Sequence, residues 1–103
     1  KVMSTPLSNP QKRYLRGLAH DLKPVILVGA KGPAEALLAE LDNALERHEL
    51  LKVKIAAEDR DTRDIWISQL VGQSKSELVA RSGNIAVLFR RSKDKPLIIL
   101  PKN

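Results

Sequence analysis

The chain has no cysteine. Disulfides and thiolate metal sites therefore cannot hold it together, which fits a reducing compartment. Aromatic residues are nearly absent: Tyr14, Trp66 and Phe89 are the only three, and they are scattered. Folds that stack bases on rows of exposed rings need more than that, so all three rings are expected in the core or at its edge. No apolar run approaches the length of a membrane span. The opening stretch KVMSTPLSNP has no apolar signal segment. The expected location is cytoplasmic.

Catalytic signatures are missing as well. No Ser nucleophile elbow, HExxH or other metal-ligand spacing occurs. The two histidines, His20 and His48, fall on different helical segments. His48 lines up with an apolar face and is expected to be partly buried. The acids Glu58, Asp59, Asp61 and Asp64 are spaced for helix capping and a solvated turn, not for a calcium loop. The reading is a non-enzyme with no cofactor and no metal.

What is present is charge, unevenly placed. The 103 residues carry a net charge of +6. Residues 1–32 hold six cations against one acid, whereas residues 33–49 hold five acids against one Arg. Segregation of this kind suggests a polyanionic partner on one side of the fold. The length suits one domain, with residues 1–7 as a tail and 8–103 as the folded unit.

Periodicity predicts the order α-β-α-β-α-β-β, a two-layer α/β domain. Ser8 or Asn9 caps a first helix with Pro10 in its first turn. Leu15, Leu18, Ala19 and Leu22 form its apolar stripe, and Lys12, Arg13, Arg16 and His20 the opposite one. Val25–Val28 reads as a buried strand. Pro33 opens a second helix with Leu37, Leu38, Leu41, Ala44 and Leu45 inward and Glu35, Asp42, Glu46 and Glu49 outward. Leu51, Val53 and Ile55 alternate with Lys52 and Lys54, as in a half-buried strand. A third helix buries Ile67, Leu70 and Val71 together with Ile65 or Trp66. Strands at 77–81 and 85–90 close on Ser82-Gly83-Asn84, and Leu97–Leu100 suggests a terminal strand. The two βαβ crossovers predict parallel neighbours.

Between the first strand and second helix stands Gly29-Ala30-Lys31-Gly32. It lacks the length of a nucleotide P-loop and the third glycine of a dinucleotide fingerprint. A short Gly-x-x-Gly corner suits a nucleic-acid backbone better. Bare Cα atoms admit a phosphodiester, the following helix offers free N–H groups, and Lys31 adds charge. KH domains clamp nucleotides with a loop of this type.

The runs LRGLAHDLKPVILVGAKG, ALERHELLKVKI and GNIAVLFRR resemble, over about residues 9–100, the CRM domain (chloroplast RNA splicing and ribosome maturation), and within it the stand-alone bacterial YhbY-type proteins. The resemblance implies an RNA-binding fold similar to the C-terminal domain of translation initiation factor three, with a four-stranded mixed sheet. It implies association with ribosomal RNA of large-subunit precursors. It maps the family's loop onto Gly29, Ala30, Lys31 and Gly32, its basic helix onto Lys12, Arg13, Arg16 and His20, and further basic positions onto Lys23, Lys52, Lys54 and Arg90. Pro33 and Ala34 stand where the family has an apolar residue and a hydroxyl, and Arg81 where an apolar residue is common. A monomer without membrane association is expected. The rival is a non-catalytic adaptor that offers the acidic second helix to a basic ribosomal or translation protein.

Overall fold

Ser8 starts the first helix. Its hydroxyl accepts from the Gln11 amide at 3.2 Å, and the Gln11 side chain accepts from the Ser8 amide at 3.0 Å. This reciprocal cap satisfies two N–H groups at once. Pro10 sits in the first turn, where a missing N–H costs nothing. The computed structural model describes residues 7–94 and 96–101. Residues 1–6 of the expected tail, Lys95, and residues 102 and 103 lie outside the described residues.

The elements are α1 Asn9–Ala19, β1 Pro24–Val28, α2 Glu35–His48, β2 Leu50–Ile55, α3 Arg60–Ser74, β3 Glu77–Ser82 and β4 Ile85–Phe89, in the expected order. The strands form one mixed sheet ordered β1-β2-β4-β3. β1 and β2 are parallel neighbours, whereas β4 runs antiparallel to both β2 and β3. The second crossover therefore skips a strand position, and the hairpin folds β4 back into the gap. Arg81 stands opposite Ala86 in that hairpin.

Alternation along the strands sorts side chains to two faces. Leu51, Val53 and Ile55 meet Leu41, Leu45, Ile67 and Leu70 on one face. Leu50, Val87 and Phe89 meet Leu15 and Ala19 on the other. The two-layer reading is thus refined: α2 and α3 cover one face and α1 lies over β2 and β3 on the opposite one.

Other expectations change for local reasons. α2 begins at Glu35 with Ala34 as its N-cap, because the turn and the bend at Pro33 use two more residues. Glu49, expected outside, is completely buried. It ends α2 at φ 63°, and its carboxylate accepts from the Ser92, Leu97 and Ile98 amides, each at 2.7 Å. Those amides are then unavailable to a ladder, and 97–100 forms no strand. Its Ile98 and Leu100 still pack on the α1-side core. Leu22 lies beyond the end of α1 and Leu18 at its rim, and both are exposed. His48 is exposed at the last residue of α2, past the edge of the core. Of the rings, Phe89 is buried, Trp66 half-buried and Tyr14 exposed.

Candidate nucleic-acid interface

The Gly-x-x-Gly corner forms where β1 runs out. The Gly32 amide donates to the Gly29 carbonyl at 3.0 Å, which closes a tight turn with Ala30 and Lys31 at its tip. Gly29, Ala30 and Lys31 are all exposed. The two glycines serve different purposes. Gly32 has φ +82°, and a Cβ there would meet the Trp66 indole at 3.0 Å. Backbone conformation and packing both require it. Gly29 has no positive φ, and nothing lies within 4 Å of its would-be Cβ. The fold does not need that glycine, and its bare surface faces solvent.

Two further observations set the corner in place. The Ala56 amide donates to the Val28 carbonyl at 2.8 Å, and the Ile55 amide to Asn84 at 2.8 Å. The corner therefore shares one end of the sheet with the β2–α3 loop and the β3–β4 hairpin. Behind it, α2 starts without a side-chain cap, so its first N–H groups take no side-chain acceptor at the N-cap.

The uncovered face of β1 and β2 runs back from this corner. Leu27 pairs in register with Lys54, and Pro24 with Lys52. Val25, in the irregular step beside Pro24, is 52% exposed and Leu27 58%. The expectation of a wholly buried first strand fails because β1 is an edge strand that α1 does not cover. Lys54 is exposed, and Lys52 Nζ lies 3.5 Å from the His20 carbonyl. Lys23 precedes the strand and is also exposed. The structure thus brings Lys23, Lys52, Lys54 and the corner onto one strip. Lys12, Arg13 and Arg16 stand on α1 and His20 caps its C-terminal end, where the helix meets the strip.

Among the described residues, none of Lys12, Arg13, Arg16, Lys23, Lys31, Lys52 and Lys54 makes an ion pair. The only acid in residues 1–34 is Asp21. Arg90 behaves differently from this group, with which it was expected. It follows β4 at the opposite end of the sheet. Its guanidinium reaches the Asp42 carboxylate at 2.6 Å, Glu46 at 3.7 Å and the Ser74 carbonyl at 2.9 Å. Its charge is consumed in joining β4 to α2. Arg81 pairs with Asp64, and Arg63 donates to the Ala57 and Glu58 carbonyls at 3.0 and 2.9 Å.

The acids of that side are engaged as well. The Ser92 hydroxyl, donating at 2.7 Å, holds the Glu46 carboxyl below the usual carboxylate range. The Thr62 amide does the same for Asp59, the N-cap of α3. Among the described residues no cluster of His, Asp and Glu is arranged to hold a metal, and no helix is long and apolar enough to cross a membrane.

Sequence reasoning missed two parts of this site. The contact between Trp66 and Gly32 joins segments far apart in the chain and leaves no local signal. The exposure of Val25 and Leu27 has one: Pro24 at the strand's first residue is the mark of an edge.

Comparison with known proteins agrees with this fold. The model of the CRS1/YhbY (CRM) domain matches residues 7–90. The chain is 47% identical to a Haemophilus influenzae protein named as an RNA-binding protein, over 87% of this chain and 91% of that one. It is 37% identical to a Bacillus subtilis protein named "Probable RNA-binding protein YqeI", over 92% and 99% respectively. The solution structure of a hypothetical protein from Staphylococcus aureus superposes with a TM-score of 0.80 at 36% identity, covering 93% of this chain and all of that one. The chain belongs to the CRS1/YhbY (CRM) domain family.

Proposed function

We propose that this chain is a non-catalytic RNA-binding protein that acts in assembly of the large ribosomal subunit. The observation that carries the reading is the corner at 29–32 with its exposed Gly29, Ala30 and Lys31, set beside cations that pair with no acid among the described residues. An RNA backbone supplies what the corner lacks. Its phosphates accept from free amides, pass close to the bare Gly29 surface, and replace water around Lys31. Lys23, Lys52 and Lys54 continue the contact along the open sheet, and Lys12, Arg13, Arg16 and His20 extend it onto α1.

The names of the relatives support RNA as the ligand. The ribosomal assignment rests on the likeness to YhbY-type proteins. The adaptor reading draws less support, because Asp42 and Glu46 on the acidic helix are already occupied by Arg90 and Ser92.

The test replaces Ala30 and Lys31 with Asp and keeps both glycines. Both side chains are exposed, so circular dichroism stays native. Affinity for structured ribosomal RNA falls at least about tenfold, or about 1.4 kcal/mol. An unchanged affinity in the folded variant removes the corner from the interface.

A further inference from the structure

The strip behind the corner is not a plain basic surface. Val25 and Leu27 expose more than half their area on it, between Lys52 and Lys54 on one side and solvent on the other. Leu18 and Leu22 are also exposed, near the end of α1. Phosphate contacts alone do not call for this. A duplex presents its backbone and 2′-hydroxyls outward and hides the flat faces of its bases in the stack. Exposed valine and leucine have nothing to hold on such a ligand. An unpaired strand differs, because it offers phosphates and base faces side by side.

We propose that the open face of β1 and β2 binds unpaired nucleotides, and that the chain selects single-stranded segments of its RNA. This rests on the RNA-binding reading and adds the class of RNA. The corner holds the backbone at one end. β1 then provides a strip five residues long, about 15 Å at about 3.3 Å per residue, enough for a few nucleotides. Along it the ammonium groups of Lys54 and Lys52 follow the phosphates. Base faces lie on Leu27 and Val25. Charge fits a strand of this sign, since no acidic side chain belongs to β1 or β2. No exposed ring lies on these strands either, so stacking on aromatics is replaced by aliphatic contact, which separates bases poorly. The expected outcome is preference for unpaired over paired RNA with little choice among base sequences.

The experiment uses two labelled RNAs of equal length, an oligouridine and a GC-rich duplex, each titrated with the full chain. The double variant Val25→Thr with Leu27→Thr places β-branched residues at both strand positions and removes apolar surface. Its affinity for the oligouridine falls about fivefold or more, the scale of losing one good base contact, while its affinity for the duplex stays within about twofold. Leu27→Phe, which adds a ring, tightens oligouridine binding. Ile65→Ser, at an equally exposed site on α3, changes neither. Equal losses on both RNAs, or no loss on either, overturn the proposal while leaving RNA binding intact. Failure of the unaltered chain to bind either RNA would sink the functional reading itself, and this proposal with it.

Discussion

Both faces of the sheet carry cationic side chains and use them in opposite ways. On the face covered by α2 and α3, arginines meet acids: Arg81 with Asp64, Arg90 with Asp42 and Glu46. On the face shared by α1 and the open strip, lysines and arginines point outward and, among the described residues, make no ion pair. Exposed ion pairs contribute little to stability, and unpaired surface cations contribute none. Apart from Lys52, whose ammonium reaches the His20 carbonyl, the second group therefore has no role in the fold that its contacts reveal. Charge retained without a partner, beside bare backbone, is charge available to a ligand. The same sheet holds the molecule together on one side and presents a surface on the other.

The largest effect expected from breaking this contrast lies on the fold side. Glu49→Ala leaves three backbone donors without their acceptor. Each orphaned buried group costs about 1–3 kcal/mol, and partial rehydration of the 92–98 segment reduces the sum. Urea denaturation is expected to show a loss of about 2–4 kcal/mol. RNA affinity measured well below the unfolding midpoint stays unchanged, because the segment lies at the far end of the sheet from the corner.

A smaller and sharper contrast lies within the corner. Gly32→Ala places a Cβ at a positive φ and against Trp66, at a cost of about 1–2 kcal/mol. Gly29→Ala meets neither obstacle and leaves stability unaltered. Its effect falls on binding: a methyl on the bare surface lowers RNA affinity while the melting curve holds. As the only tryptophan, Trp66 makes the first variant visible by fluorescence, whereas the second leaves the emission of the free protein unchanged.

The smallest effect is that of acid on the fold side. Glu46 and Asp59 both have folded-state values lowered by hydrogen bonds from Ser92 and Thr62. A carboxylate with a lowered value stabilises the fold above its unfolded value, and that contribution is lost as pH falls through the folded one. Thermal stability should therefore decline on acidification below the ordinary carboxylate range. Glu46→Gln combined with Asp59→Asn should flatten that decline.

Much of the architecture was legible in the sequence because it rests on local rules. Ser8 and Asp59 announce helix starts, Leu41 and Leu45 keep helical phase, and Leu51, Val53 and Ile55 keep strand phase. Gly83 marks the hairpin. What the sequence withheld depends on distant contacts. Nothing near Glu49 says that three amides from the chain's end converge on it, and an acid at a helix terminus reads as solvated. Arg90 follows a strand just as Lys23 precedes one. Only the fold shows that the first reaches Asp42 and the second reaches solvent. Gly29 and Gly32 look equivalent in the motif until Trp66 is found beneath one of them. The cluster Lys23, Lys31, Lys52 and Lys54 is legible as charge, whereas its mixture with Val25 and Leu27 is signalled only by Pro24 at the strand's start, because alternation alone does not reveal which face a helix leaves bare.

The most direct test of the contrast between the faces is the salt dependence of RNA binding. Each neutralised phosphate contact contributes about 0.7 to about 0.9 to the log–log slope. With Lys52→Gln and Lys54→Gln together, the account predicts a slope shallower by between about one and two units. With Asp42→Asn and Glu46→Gln on the opposite face it predicts an unchanged slope and no loss of affinity. Equal changes from the two pairs, or a change only from the second, would contradict it.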